Sequence, residues 1–258
     1  MATSRAPLHA YVLHSYDWSE TSLIVELFTR SQGRVVVAAK GAKRPTSNFR
    51  PVLIPFAPLQ VLLGRAPADE AAEVHNLRSA EWAGGAPLLP PARLMAGFYA
   101  NELLLKLLAR QDPHPALFDA YADTLGALAQ ADDGAAEATA LRAFELLLLR
   151  QTGVLPTLSH ETLTAQPVAP DAPYQIDAEA GLKRQREGLA GHAWQAIEAA
   201  LEASSPAALR AACAPHAAAL RVPLRGLVHY HLGTSTLRTR QVGLDIQRLA
   251  GNLTAATR

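Results

Sequence analysis

Four cations fall within eleven consecutive positions of the segment Gly33 to Phe56, GRVVVAAKGAKRPTSNFRPVLIPF. Lys40, Lys43, Arg44 and Arg50 supply charge, Ser47 and Asn48 supply neutral hydrogen-bonding groups, and Gly41 lets the backbone come close to a ligand. That mixture suits a sugar-phosphate polymer. Phe49 has two readings, a ring that stacks on a base, worth about 1–3 kcal/mol, or a loop anchor buried beside Phe56. Trp18, in the first turn, poses the same choice. The basic run itself needs an explanation, because like charges crowded into a short span destabilise a fold through self-repulsion.

No catalytic constellation accompanies it. The chain lacks G-x-x-x-x-G-K-[ST], G-x-G-x-x-G after a strand, H-E-x-x-H and G-x-S-x-G, so the common nucleotide, zinc-protease and hydrolase signatures are missing and a non-enzymatic role is expected. His229 and His231 with Cys213 make a poor ligand set, since residues two apart on a helix diverge. Asp132 and Asp133 beside Gly134 read as a helix terminus or a turn rather than an acid–base pair. Cys213, the only cysteine, reads as a buried small apolar residue, and with no partner it points to a reducing, cytoplasmic setting. No metal or cofactor is expected.

The 258 residues carry a net charge of only +1, but the charge is segregated. Residues 1–68 hold eight Lys/Arg against three acids (+5), residues 69–204 nine against nineteen (−10), and residues 205–258 seven against one (+6). Leu27 to Ala68 contains no acid while Arg30, Arg34, Lys40, Lys43, Arg44, Arg50 and Arg65 accumulate; Ser205 to Leu244 is likewise acid-free. Either a polyanion engages the basic ends, releasing condensed counterions, or the ends fold against the acidic middle and are neutralised within the molecule. The start, MATSRAPLHAYVLHSYDW, is interrupted by polar residues too early for a signal peptide, and no apolar run approaches the roughly 20 residues of a membrane span.

Two kinds of element must position these residues. Leu8 to His14, Ser22 to Phe28, Arg34 to Ala39, Pro58 to Leu63 and Glu73 to Ala80 read as strands, punctuated by a tight turn at Ser31-Gln32-Gly33, a longer loop opening at Gly41 and Pro45, and a turn at Gly64 to Ala68. Five strands in about eighty residues suit a small closed barrel, of which the OB-fold is the commonest single-strand-binding version and an SH3-like barrel the alternative. Beyond Pro90 the period becomes helical: Pro91 to Arg110, Pro115 to Gln130, Ala136 to Thr152, Gly191 to Ala203, Pro206 to Leu220, and Leu224 to Leu249 with a break at Gly233. Leu155 to Pro173, with four prolines and no apolar period, reads as a loop. The expected organisation is α+β, with a barrel over 1–82 and an all-helical domain over 83–258 that carries an irregular excursion at about 155–190.

The runs ETSLIVELFT, GRVVVAAKGAKRP and LIPFAPL, followed by YANELLLKLL, DPHPALFDAY, LRAFELLLLRQTGVLP and LRGLVHYHLGTSTLRTRQ, resemble the RecO family of bacterial DNA repair and recombination mediators. They lie in the family's order between Ala10 and Gln241. The resemblance implies an N-terminal OB-fold and a helical domain. It also implies a protein that binds single- and double-stranded DNA and anneals complementary strands. Its implied partners are the acidic C-terminal tail of single-stranded DNA-binding protein and RecR, with RecF where present; RecA, loaded on the coated DNA, is an indirect one. A nucleoid-associated cytoplasmic location follows from the same resemblance.

Carried over by position, Lys40, Lys43 and Arg44 match the family's basic DNA-binding loop, with Arg34 and Arg50 flanking it. Arg142 in LRAFEL matches an arginine associated with the acidic tail, where a guanidinium fork facing a carboxylate is chemically apt; its alternative is a salt bridge to Glu145 at i+3. Arg225 matches a partner-contacting position, and Arg238 and Arg240 match basic positions expected to meet DNA or the tail. Many relatives carry a four-cysteine zinc module before the last helices. Here that region reads Leu158-Ser159-His160-Glu161 and Leu182-Lys183-Arg184-Gln185-Arg186, so the module's cysteines are absent. Lys183, Arg184 and Arg186 form a small basic patch that suits DNA or plain solvent.

Overall fold

Along Gly33–Ala39 the side chains alternate between Val35, Val37 and Ala39 on one face and Arg34, Val36 and Ala38 on the other, and the first set lies in a dry cluster with Val25, Leu27, Leu59 and Val61. That cluster is the interior of a closed five-stranded barrel built from Leu8–Asp17 (β1), Leu23–Thr29 (β2), Gly33–Ala39 (β3), Leu59–Leu63 (β4) and Val74–Trp82 (β5). The strand order is β1-β2-β3-β5-β4, with β4 returning to β1 through Leu8–Val61 and Ala10–Leu59, and β3 running parallel to β5 at Val36–Val74 and Ala38–Asn76. This closure is that of an OB-like barrel. The computed structural model describes residues 6–64, 74–85, 88–233 and 236–256. The expected turn at Gly64 to Ala68 therefore lies, beyond Gly64, outside the described residues, as does Arg65.

The chain forms two compact units that interleave in sequence: Met1–Pro90 with Leu108–Ala129, and Pro91–Leu107 with Gln130–Arg258. Leu94–Leu107 (α1), preceded by a 3-10 turn at Pro91–Arg93, thus belongs to the second unit, and Pro115–Ala129 (α2) to the first. A boundary at residue 82 assigns α2 to the helical part, whereas its packing ties it to the barrel. Phe118 and Tyr121 meet Tyr11 at ring-centroid distances of 5.3 and 5.1 Å and Phe28 at 5.4 and 6.1 Å. Arg30 adds two 2.9 Å hydrogen bonds to the Asp119 carboxylate. This covers the outward-facing Tyr11 and Phe28, so β2 buries Phe28 on its outer face as well as Val25 and Leu27 on its inner one.

The second unit is helical: α1, Gly134–Gln151 (α3), Gly191–Glu202 (α4), Pro206–Cys213 (α5), Ala217–Leu232 (α6) and Arg238–Ala256 (α7). Asp133 caps α3, its carboxylate accepting from Ala136 N at 2.8 Å, which settles the Asp132-Asp133 pair as a helix start. Leu146 to Leu149 are all buried, as four successive apolar positions require of a helix surrounded on every side. The expected helix from Pro206 to Leu220 instead breaks at a 3-10 turn, Ala214–His216, because Pro215 cannot continue α5. The expected gap between Leu220 and Leu224 is absent: Pro223 sits inside α6, and the buried Leu220, Leu224 and Leu227 around it keep the helix together.

The excursion is more regular than its prolines suggest. Pro173–Asp177 (β6), Gly181–Arg184 (β7) and Leu189–Ala190 (β8) form a three-stranded sheet ordered β7-β6-β8, adding strand to a region expected to be helical and irregular. Strands this short carry too few residues to show a period. Side chains fasten the excursion: Glu198 accepts from Arg150 at 2.6 Å and from Leu158 N at 3.0 Å, Trp194 Nε1 donates to Tyr174 O at 3.0 Å, and Ala169 N donates to the Tyr174 hydroxyl at 3.0 Å. One cysteine cannot build a four-cysteine site, and no cluster of three His, Cys, Asp or Glu occurs among the described residues. No helix among them is long and apolar enough to cross a membrane.

Candidate functional site

β3 ends at Ala39, and the chain turns at once through Gly41, whose φ of +73° is the left-handed conformation that glycine tolerates. Gly41 N donates to Ser22 Oγ (3.2 Å) and Lys43 N to Thr21 O (2.9 Å), so the β1–β2 connection holds the start of the loop. Ala42 and Leu53 enter the barrel core, and Phe49 and Val52 pack against it. Phe49 is therefore an anchor. The loop plugs one end of the barrel with small apolar groups and leaves its cations outside on ordered backbone.

Two depressions flank Phe49. One, about 250 Å³, is bordered by Lys43 and Arg50 over Leu23, Ala42 and Leu53. The other, about 590 Å³, gathers Lys40, Arg44, Ser47 and Asn48 from the loop with Arg78 and Glu81 from β5. Arg78 arrives there through a β-bulge: Leu62 pairs with Ser79 and Leu63 with Leu77, leaving Arg78 as the extra residue. Sequence reading missed it. The strand HNLRSAEW gives no sign of which residue is squeezed out of the ladder.

Among the described residues Lys40, Arg44, Arg50 and Arg78 have no acidic partner. Lys43 is paired with Asp17 at 3.2 Å, across a well-solvated carboxylate. Arg34 is different. It faces outward from β3, yet it is 8% exposed, donating to Leu108 O at 2.9 Å and lying 3.5 Å from Glu26, which also takes Arg110 at 2.7 Å. Gln111 N donates to Arg34 O, and a Cβ on Gly33 would collide with the Asp112 carbonyl. Arg34 is thus a clasp for the 108–112 segment, and the structure separates it from the exposed cations expected beside it.

The remaining predicted residues meet in the helical unit. A groove of about 740 Å³ is bordered by α1, α3, α6 and the start of α7, and Arg142, Arg221, Arg225 and Arg240 all line it with Tyr99 and His229. Arg142 makes the i+3 salt bridge, Nη2 donating to Glu145 Oε1 at 2.6 Å, and its side chain, with the residue 8% exposed, also borders the groove, its Nε without a partner among the described residues. Tyr99 donates to the same oxygen at 2.7 Å. Burial raises the Glu145 carboxyl above its usual pKa, against the pull of Arg142 and Tyr99. Desolvation lowers the His229 pKa, and the neighbouring Arg240 and Arg225 lower it further. Arg221 was visible in sequence as a charge but not as a member of this set.

Arg238 is exposed and only its backbone is engaged. Glu102 of α1 accepts from Arg238 N (2.8 Å), Thr239 N (2.9 Å) and Thr239 Oγ1 (2.7 Å), capping α7 from a neighbouring helix. Burial opposes ionisation of Glu102, but these bonds and Lys106 outweigh it and its pKa is lowered. The cap fixes the wall that presents Arg240.

Residues 3–85 match the recombination protein O N-terminal family and residues 90–240 the recombination protein O C-terminal family. The chain belongs to the RecO family. It is 52% identical over 251 residues to a DNA repair protein RecO of Variovorax paradoxus, covering 93% of this chain and 96% of that protein. A Verminephrobacter eiseniae RecO is 51% identical over 245 residues with the same coverage, and one from a Polaromonas species is 49% identical over 256 residues, covering 96% of this chain and all of its own length. The two RecO matches meet between residues 85 and 90, where the barrel strands have ended and the helices have not begun.

Proposed function

We propose that this protein acts in DNA repair as a recombination mediator that holds DNA on its barrel and an acidic protein tail in its helical groove. The observation that carries the first half is the set of four cations, Lys40, Arg44, Arg50 and Arg78, without an acidic partner among the described residues and displayed by an anchored loop and a bulge on an OB-like barrel. Phosphate contacts of this kind need no base specificity, so they serve single and double strands alike. They also lower the repulsion between two strands while leaving base edges free to pair, which is what annealing requires. Arg34 is left out of this set because its guanidinium faces protein.

The second half rests on the groove. Arg142, Arg221, Arg225 and Arg240 converge on one depression with apolar walls from α1, α3 and α6, which suits the acidic, apolar-ended tail of single-stranded DNA-binding protein. Arg240 then belongs with the tail rather than with DNA. RecR, RecF where present, and RecA loading on coated DNA complete the proposed role through the family.

Annealing of complementary oligonucleotides, with and without single-stranded DNA-binding protein, tests the whole reading. Lys40→Glu with Arg44→Glu should lose annealing of naked strands and keep peptide binding; Arg142→Ala should do the reverse. If the loop variant annealed normally while Arg142→Ala abolished activity on coated strands, the protein would be mainly an adaptor for the acidic tail, the reading that the groove alone favours. With about five phosphates engaged, log affinity for a single strand should fall with log salt at a slope near −3.5.

A further inference from the structure

β1 begins with Ala10 and Val12 pointing into the barrel, so an unbroken strand would send His14 and Tyr16 inward as well. It does not, because Val12 pairs with Leu27 and His14 with Glu26, leaving Leu13 as one extra residue. After this bulge Ser15 pairs with the core residue Val25, and His14 and Tyr16 share the outer side with Glu26 and Ile24. Trp18 follows two residues beyond Tyr16, where its N–H donates to Ser22 O at 3.3 Å. Three rings are thereby turned out of the barrel. His14 and Tyr16 meet edge to face at 4.4 Å, and Tyr16 and Trp18 are 48% and 56% exposed.

We propose that His14, Tyr16 and Trp18 form a track on which successive unpaired bases of a single-stranded nucleic acid stack. The proposal rests on the DNA-binding reading above and names the part of the ligand that the basic loop does not touch. The track ends at that loop: Ser22 accepts from the backbone N–H of Trp18 and, through its hydroxyl, from Gly41 N, and Lys43 N donates to Thr21 O. A strand whose phosphates meet Lys40 and Arg44, on either side of Gly41, therefore passes Trp18 at the loop end of the track. His14 packs edge-on against Tyr16, so these two rings make one platform and Trp18 a second, which suits an unpaired strand whose bases have free faces and not a duplex whose bases are already stacked on one another. Aromatic faces accept any base, which suits a surface that must not prefer a sequence.

The test uses the full chain and three polymers of equal length: an oligothymidine, the same backbone without bases, and a duplex. Tyr16→Ala with Trp18→Ala should weaken oligothymidine binding about 10-fold or more while changing the abasic polymer and the duplex less than about twofold. Tyr16→Phe with Trp18→Phe keeps the rings and should bind as the parent does. Oligothymidine should also quench Trp18 emission in a Trp82→Phe chain, whose other tryptophan, Trp194, is fully buried. A double alanine variant that bound all three polymers like the parent, as it would if the rings docked a protein, overturns the track and leaves the basic loop standing; equal weakening on all three overturns it too. A parent chain that bound none of them overturns the DNA-binding reading itself.

Discussion

The barrel loop and the helical groove both collect arginine, yet they hold it in opposite ways. Lys40, Arg44, Arg50 and Arg78 stand on a loop and a bulge without an ion-pair partner among the described residues, while Arg142 is sunk into α3 against Glu145 and offers only part of its guanidinium. Exposed, separated cations suit a long polymer whose charges repeat. A half-committed guanidinium in a walled groove suits a single anionic end, because burial strengthens one well-placed bond and penalises a poorly placed one. The difference is one of burial and preorganisation, since the charge type is the same.

The largest effect expected from breaking this contrast is at Arg142. Arg142→Ala leaves Glu145 buried with only Tyr99 for company and should cost about 3–5 kcal/mol in urea unfolding, besides abolishing acidic-peptide binding. An unchanged unfolding midpoint would show that the pair is not buried as described. Next comes the loop, where Lys40→Glu with Arg44→Glu should lower single-strand affinity about 100-fold and flatten its salt slope by about 1.4, leaving thermal stability nearly unchanged. A smaller change of opposite sign is expected at Glu81, the one acid in that depression: Glu81→Lys should tighten binding several-fold and steepen the slope by about 0.7.

The smallest effect is a pH dependence. Desolvation, with Arg240 and Arg225, holds His229 below its ordinary pKa, so the stability linked to its neutral form is present above that ordinary value and declines as the pH falls below it. A bound carboxylate offsets Arg240 and Arg225 and raises His229 again, so protonation and peptide binding assist each other. Peptide affinity should rise as the pH falls from 7.5 into the acid range, and His229→Gln should remove the rise. A flat profile in the parent chain would mean that the peptide does not reach His229.

Much of this architecture is written in short-range patterns. The barrel strands announce themselves by alternation, the helices by their apolar stripes, and the basic loop by the absence of any acid from Leu27 to Ala68. What stayed hidden depends on contacts distant in sequence. The bulges at Leu13 and Arg78 are properties of pairings, invisible in either strand alone, and they decide which way Tyr16 and Arg78 point. Arg34 looked like a flank of the basic loop because its charge is local, while its partners, Leu108 and the Glu26–Arg110 pair, come from elsewhere. Arg225 and Arg240 join Arg142 only once α6 and α7 have folded back along α3 and α1.

The aromatic seam between the barrel and α2 has a consequence for synthesis. Tyr11 and Phe28 have emerged from the ribosome long before Phe118 and Tyr121 exist, so the nascent barrel waits with a sticky outer wall until about residue 129 is made. A chain cut near residue 85 would keep all five strands and lose the helix that covers them. Such a fragment should aggregate, and supplying residues 108–129 as a separate peptide should rescue its solubility.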